Sequence, residues 1–81
     1  MRGTVAKAWG EVMREERERR GVSQRQLSKS LWPKSTNRWG DYETKGRDVP
    51  LTTAIQMCEA LGLSFNEAAY RLERRLQENG Q

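Results

Sequence analysis

Lys34, Ser35, Thr36, Asn37, Arg38 and Asp41 crowd charged and hydrogen-bonding side chains into one short segment, interleaved with Trp32, Trp39 and Tyr42. These side chains suit polar recognition better than covalent catalysis. Asn and Arg can face base edges with paired groups, Lys meets phosphate as a point charge, and Asp accepts from an exocyclic amine. Read alone, "SLWPKSTNRWGDYE" at 30–43 fits a polar loop, a capped turn leading into a short helix, or a platform that stacks single-stranded bases. The rest of the inventory argues against an enzyme. The chain has no histidine, its one cysteine is Cys58, and no glycine-rich loop is built to cradle a phosphate. The same scarcity excludes a disulfide framework within the chain and speaks against zinc, so no cofactor is expected. No small-molecule ligand is evident.

The charge is unevenly placed. Residues 1–47 carry twelve Lys/Arg against six Asp/Glu, a balance of +6, and residues 48–81 carry three against five, or −2, within an overall +4. A basic half beside a slightly acidic one suggests a face for a polyanion; the mixed run "REERERR" reads equally well as solvated surface. Eighty-one residues make one small domain, burying somewhat over ~60% of the extended chain's surface. The first residues lack the apolar run of a signal peptide, and nothing approaches the ~20 apolar residues of a membrane span. A cytoplasmic protein without a membrane partner is therefore expected.

The elements that must position the polar segment read as helices throughout, because no stretch alternates convincingly. Val5, Trp9, Val12 and Met13 form one stripe, so a first helix is predicted over about 4–20, with Gly21 at its left-handed end. Ser23 and Gln26 make a capping box and Val22 with Leu27 a hydrophobic staple. They open a second helix over 24–31, which Pro33 ends. Ser35 is the next plausible cap, followed by a third helix over 36–44 with Trp39 and Tyr42 inward. Pro50 and Gly62 bracket a fourth over about 51–61, with Leu51, Ala54, Ile55, Cys58 and Leu61 as its stripe. Ser64 and Glu67 repeat the capping box before a fifth over about 65–78, with Phe65, Ala68, Ala69, Leu72 and Leu76 apolar. Residues 79–81 are expected to fray. The predicted fold is all-α, with five helices.

The second helix, a short turn and a third helix opening on small polar residues form a helix-turn-helix unit. Its second helix must present hydrogen-bonding groups to a major groove while apolar anchors fix its angle. "GVSQRQLSKSL", "STNRWGDYETKG" and "VPLTTAIQMCEALGLSFNEA" together resemble the lambda-repressor-like helix-turn-helix family, also called the XRE family, over about residues 9 to 70. The resemblance implies a five-helix domain that binds operator DNA as a transcriptional regulator, commonly a repressor and commonly a dimer.

Carried over residue by residue, the resemblance implies that Gln24 holds a phosphate and braces the recognition helix. It puts Thr36 and Asn37 at the opening base-reading positions and Asp41 one turn on, with Arg17 and Glu43 as a partly buried pair. Lys34 and Lys45 are expected on phosphate. Arg38 could grip a guanine or meet only backbone and solvent. Asp41 could accept from cytosine or merely keep clear of phosphates. Two departures stand out: the turn "WPK" is one residue longer than the usual glycine-containing turn, and Gly40 lies mid-helix. Gly40 could admit a close approach to the groove or make room beside Trp39. Trp9, Trp39 and Cys58 read as core, and Arg14, Arg19 and Arg20 as solvated surface. Trp32 is expected either to pack under the turn or to stack on a sugar. The apolar face of the last helix continues through Phe65, Leu72 and Leu76, which suggests a homodimer contact. A protein-interaction adaptor on the same fold is the main alternative, and RNA or single-strand binding a third.

Overall fold

Capping and apolar spacing divide the chain into α1 (Arg2–Arg19), α2 (Gln24–Leu31), α3 (Arg38–Thr44), α4 (Leu51–Leu61) and α5 (Phe65–Glu78). This computed structural model describes residues 2–78; residues 79–81, expected to fray, lie outside the described residues. The described residues contain no strand, and the all-α, five-helix fold is as expected. No helix among them is long and apolar enough to cross a membrane.

Local chemistry sets most boundaries. Ser23 accepts from the Gln26 amide at 3.0 Å while the Gln26 side chain accepts from the Ser23 amide at 2.9 Å, closing the capping box of α2. Gly62 ends α4 at φ 67, and the Leu63 amide then reaches the Cys58 carbonyl at 2.9 Å. That left-handed turn costs a residue with a Cβ more than it costs glycine. At α5, Ser64 caps the Glu67 amide at 3.0 Å. The Glu67 carboxylate does not complete the expected box; it pairs with Arg71 at 2.9 Å instead.

α3 departs most from expectation. It begins at Arg38 rather than at 36, and Ser35 does not cap it. Pro33 drives the chain through two successive turns, closed by the Ser35 amide on the Trp32 carbonyl (2.8 Å) and the Arg38 amide on the Ser35 carbonyl (3.3 Å). Thr36 and Asn37 therefore precede the helix. The cap comes from another element: the fully buried Ser28 of α2 accepts from the Trp39 amide at 2.8 Å.

The core gathers Trp9, Val12 and Met13 of α1, Leu27 of α2, Trp39 and Tyr42 of α3, Ala54, Met57, Cys58 and Leu61 of α4, then Leu63 and Ala68. The α4 stripe is rotated from the expected one. Met57 is fully buried, whereas Leu51 and Ile55 are exposed, as is Val5 at the start of α1. Gly10 lets α1 lie directly on the end of α3, since a Cβ there would fall 2.5 Å from the Tyr42 carbonyl oxygen.

α5 is held as much by charge as by apolar contact. Only Ala68 among its residues is fully covered. Arg71 pairs with Glu16 at 2.8 Å and Arg75 with Glu11 at 3.2 Å, and Arg75 also pairs with Glu15. Glu16 is fully buried and also receives Arg19 at 2.7 Å and Arg20 at 2.5 Å. Arg19 and Arg20 are thus ion-pair partners, not merely the solvated surface expected of them; Arg14 does pair on the surface, with Glu18 at 3.1 Å. Burial pushes the Glu16 carboxyl upward, but hydrogen bonds from Arg71, Arg20 and Arg19 outweigh it and hold the group at about 2.

Candidate nucleic-acid interface

The inner side of α3 is fixed by an apolar anchor and a polar one. Trp39 is fully buried and Tyr42 nearly so. Between them and α1, the covered Glu43 carboxylate accepts from Arg17 Nε at 2.6 Å, Arg17 Nη2 at 3.2 Å, Gln24 Nε2 at 2.8 Å and Trp39 Nε1 at 2.6 Å. Arg17 Nη1 also donates to the Val22 carbonyl at 2.9 Å. One carboxylate thereby joins the end of α1, the entry of α2 and the last turn of α3. Saturating its lone pairs offsets the cost of burying the charge.

The outer side is polar and open. Gln24 and Arg25 of α2 face Thr36, Asn37, Gly40, Asp41 and Thr44 across a shallow notch of about 260 Å³. Lys34, Ser35, Thr36 and Asn37 are exposed, and their side chains make no hydrogen bond among the described residues. Asp41 is differently placed: Lys45 Nζ and Arg47 Nη1 both approach it at 3.4 Å. The missing side chain of Gly40 makes room for Gln24, not for Trp39. A Cβ at Gly40 would sit 2.8 Å from Gln24 Oε1.

Trp32 packs under the turn. Its ring lies 6.5 Å from that of Trp39 and 5.9 Å edge-on from that of Tyr42. Arg38 covers it with the guanidinium 4.5 Å from the ring centre, and Arg38 Nε donates to the Tyr42 hydroxyl at 3.3 Å.

A family profile describing a helix-turn-helix domain matches residues 8–72. The chain belongs to the helix-turn-helix domain family. No curated protein and no solved structure matches it. The helix-turn-helix unit itself is α2, the turn through Pro33 and α3, and a family of this kind is DNA-binding. In this helix-turn-helix domain the residues singled out in sequence lie in three places, the Arg17–Glu43 pair behind α3 being one. Gln24, Thr36, Asn37, Gly40 and Asp41 border one notch, with Lys34, Ser35 and Arg38 in the turn and at its edge and Lys45 at the far end of α3.

Phe65, Leu72 and Leu76 lie on α5, away from the helix-turn-helix unit. Phe65 tilts against Trp9 with ring centres 6.2 Å apart, Leu72 packs on the edge of the core, and Leu76 is half-buried. Phe65 and Leu72 border an apolar groove of about 510 Å³ that also takes in Val5, Trp9, Val49 and Leu51. Sequence reading missed Ser28, Gly10 and Glu16. Only Glu16 left a local signal, its spacing of three and four from Arg19 and Arg20.

Proposed function

We propose that this helix-turn-helix domain is a sequence-specific double-stranded DNA-binding transcriptional regulator of the lambda-repressor-like type, with α3 seated in a major groove. One observation carries the reading. Glu43 fixes α3 on both α1 and α2, while the turn that enters α3 presents unengaged Thr36 and Asn37 beside Asp41 of the helix. A rigid anchor behind and free hydrogen-bonding groups in front is what base readout requires. Thr36, Asn37 and Asp41 contact base edges. Gln24, Lys34 and Lys45 hold phosphates, Ser35 faces the DNA from the turn, and Gly40 contributes through the space it leaves for Gln24. Asp41 must exchange Lys45 or Arg47 for a base amine, so its contact is the most costly of the three.

The regulator acts in the cytoplasm as a homodimer through Phe65, Leu72 and Leu76, repressing by occupying an inverted-repeat operator. Half-site centres are then one turn of DNA apart, about 34–36 Å. Selection from a random pool of duplexes tests this directly. An enriched palindrome, with affinity falling by about 0.9 log units per log unit of salt for each phosphate contacted, supports it. Equal affinity for all duplexes would end the specific reading. Sedimentation with and without Leu76→Glu tests the dimer.

An adaptor function has one observation in its favour, the apolar groove that holds Trp9 and Phe65. A tight protein complex from a chain that selects no duplex would support it. Single-strand binding finds less support, because such sites expose several aromatic rings on one face. Here Trp39 is fully buried and Trp32 is covered by Arg38.

A further inference from the structure

We propose that Trp32 is a platform that presents Arg38 to a DNA backbone phosphate, making Arg38 a phosphate clamp and not a base reader. The inference rests on the double-stranded DNA reading above and concerns one of the two departures noted in the sequence, the longer turn.

Arg38 is the first residue of α3, one position before the buried Trp39 and four before the buried Tyr42, and is itself half-buried. At about 100° per residue its side chain starts close to that of Tyr42, at the edge of the buried face. Its guanidinium does not extend outward from there. It lies over Trp32, its central carbon 4.5 Å from the ring centre and 5.9 Å from that of Tyr42, and Nε donates to the Tyr42 hydroxyl at 3.3 Å. Contact with two rings and one hydrogen bond leave the planar group little freedom.

Both terminal nitrogens remain without a partner among the described residues, and no described carboxylate pairs with Arg38. The nearest carboxylate in sequence, Asp41, is engaged by Lys45 and Arg47. What remains is an uncompensated cation whose open edge carries two parallel donors, the geometry that grips two oxygens of one phosphate. Reaching a base edge would require leaving both rings. A phosphate beside the groove needs no such movement, so the chain meets it with a group already ordered.

The longer turn thereby gains a purpose. Pro33 and the closing bond from the Ser35 amide to the Trp32 carbonyl hold residue 32 where its ring can underlie the first residue of α3. Trp32 is a positioning residue that acts through Arg38.

The test uses duplexes recovered by selection with the wild-type chain, titrated at several salt concentrations. Arg38→Met keeps the aliphatic stem on Trp32 and removes the charge. The expected result is a loss of roughly tenfold in affinity that is the same for the selected site and its single-base variants. The slope against salt should shallow by about 0.9. Arg38→Lys should keep the slope and lose part of the affinity, since an ammonium can neither stack nor fork. Trp32→Ala should weaken binding in the wild-type background and add nothing in Arg38→Met; Trp32→Phe, which keeps a ring and the packing, should bind nearly as the wild type does.

A change of preference at one base pair with an unchanged slope would make Arg38 a base reader and overturn the proposal. Wild-type affinity in Arg38→Met would overturn it as well. Equal losses from Trp32→Ala in both backgrounds would remove Trp32 from the role. If the wild-type chain itself selects no duplex, the DNA reading fails together with this one, and that result is visible before any variant is made.

Discussion

Arg17 Nε and Glu43 Oε2 lie 2.6 Å apart although 26 positions separate them in the chain. The contact places the carboxylate where Gln24 and the Trp39 indole also reach it. Removing the carboxylate strands four N–H groups on three side chains, one of them the charged Arg17, whereas removing Arg17 with it leaves only the neutral Gln24 and Trp39 donors unpaired. Glu43→Ala should therefore cost about 3–5 kcal/mol in urea unfolding, and Arg17→Met with Glu43→Leu distinctly less. A double variant as unstable as the single one would show that the cluster stabilises the fold outright.

Stability should fall in acid through Glu16. Its folded value of about 2 lies below the ordinary 4.5, because hydrogen bonds from Arg71, Arg20 and Arg19 outweigh the burial that opposes them. A depressed carboxyl contributes fully above its unfolded value and loses that contribution as the pH descends through the folded one. The window therefore runs from about pH 4.5 down to about 2. The contribution at neutral pH is on the order of 3 kcal/mol at most, and less once solvent screens the exposed Arg19 and Arg20. Denaturation of the wild-type chain and Glu16→Gln across that window should show the two curves converging toward low pH; parallel curves would rule the linkage out.

Cys58 should be inert while the chain is folded. It is 1% exposed, and burial, then the nearby Glu59 charge, pushes its thiol up to about 11. Thiolate is the reactive form, so both access and ionisation are withheld. Reaction with a coloured aromatic disulfide at mildly alkaline pH should be slow in buffer, at a rate that tracks unfolding, and fast in concentrated guanidinium. A fast reaction in buffer would place the thiol at the surface.

Two glycines should respond differently to alanine. At Gly10 the added carbon would fall 2.5 Å from the Tyr42 carbonyl oxygen, a backbone atom, so α1 and α3 must separate. A loss of about 2–3 kcal/mol is expected. At Gly40 it would meet only the end of the Gln24 side chain, at 2.8 Å. Gln24 can swing aside, losing its bond to Glu43, while the helix gains about 1 kcal/mol in propensity. The net change in thermal stability should be close to zero. Comparable losses at both positions would mean that Gln24 cannot move.

The sequence disclosed what depends on neighbours within a turn. Ser23, Gln26 and Gly62 punctuate the helices through bonds spanning a few residues, and Trp9, Trp39 and Cys58 each fall in the apolar stripe of their own helix. It concealed what depends on another element. The cap of α3 is Ser28, eleven positions from the Trp39 amide it serves, so Ser35 looked the better candidate. Glu16 sits in a run that reads as surface until Arg71, 55 positions away, covers it. Met57 escapes the sequence reading because the buried stripe of α4 is rotated toward Thr53 and Met57 and away from Leu51 and Ile55. At the interface, residue types were readable, but the engagement of Asp41 by Lys45 and Arg47 and the folding back of Arg38 were not.

The Ser28–Trp39 bond divides labour along the chain. A direct strut from α2 to the first turn of α3, with the Glu43 anchor behind it, means that the connecting segment does not aim the helix alone. The exposed positions from Lys34 to Asn37 are then freer to vary: a residue exchanged there alters what faces outward while two other supports still hold α3. The same scaffold could acquire new sequence preferences by rewriting a handful of exposed positions, with its stability left almost untouched.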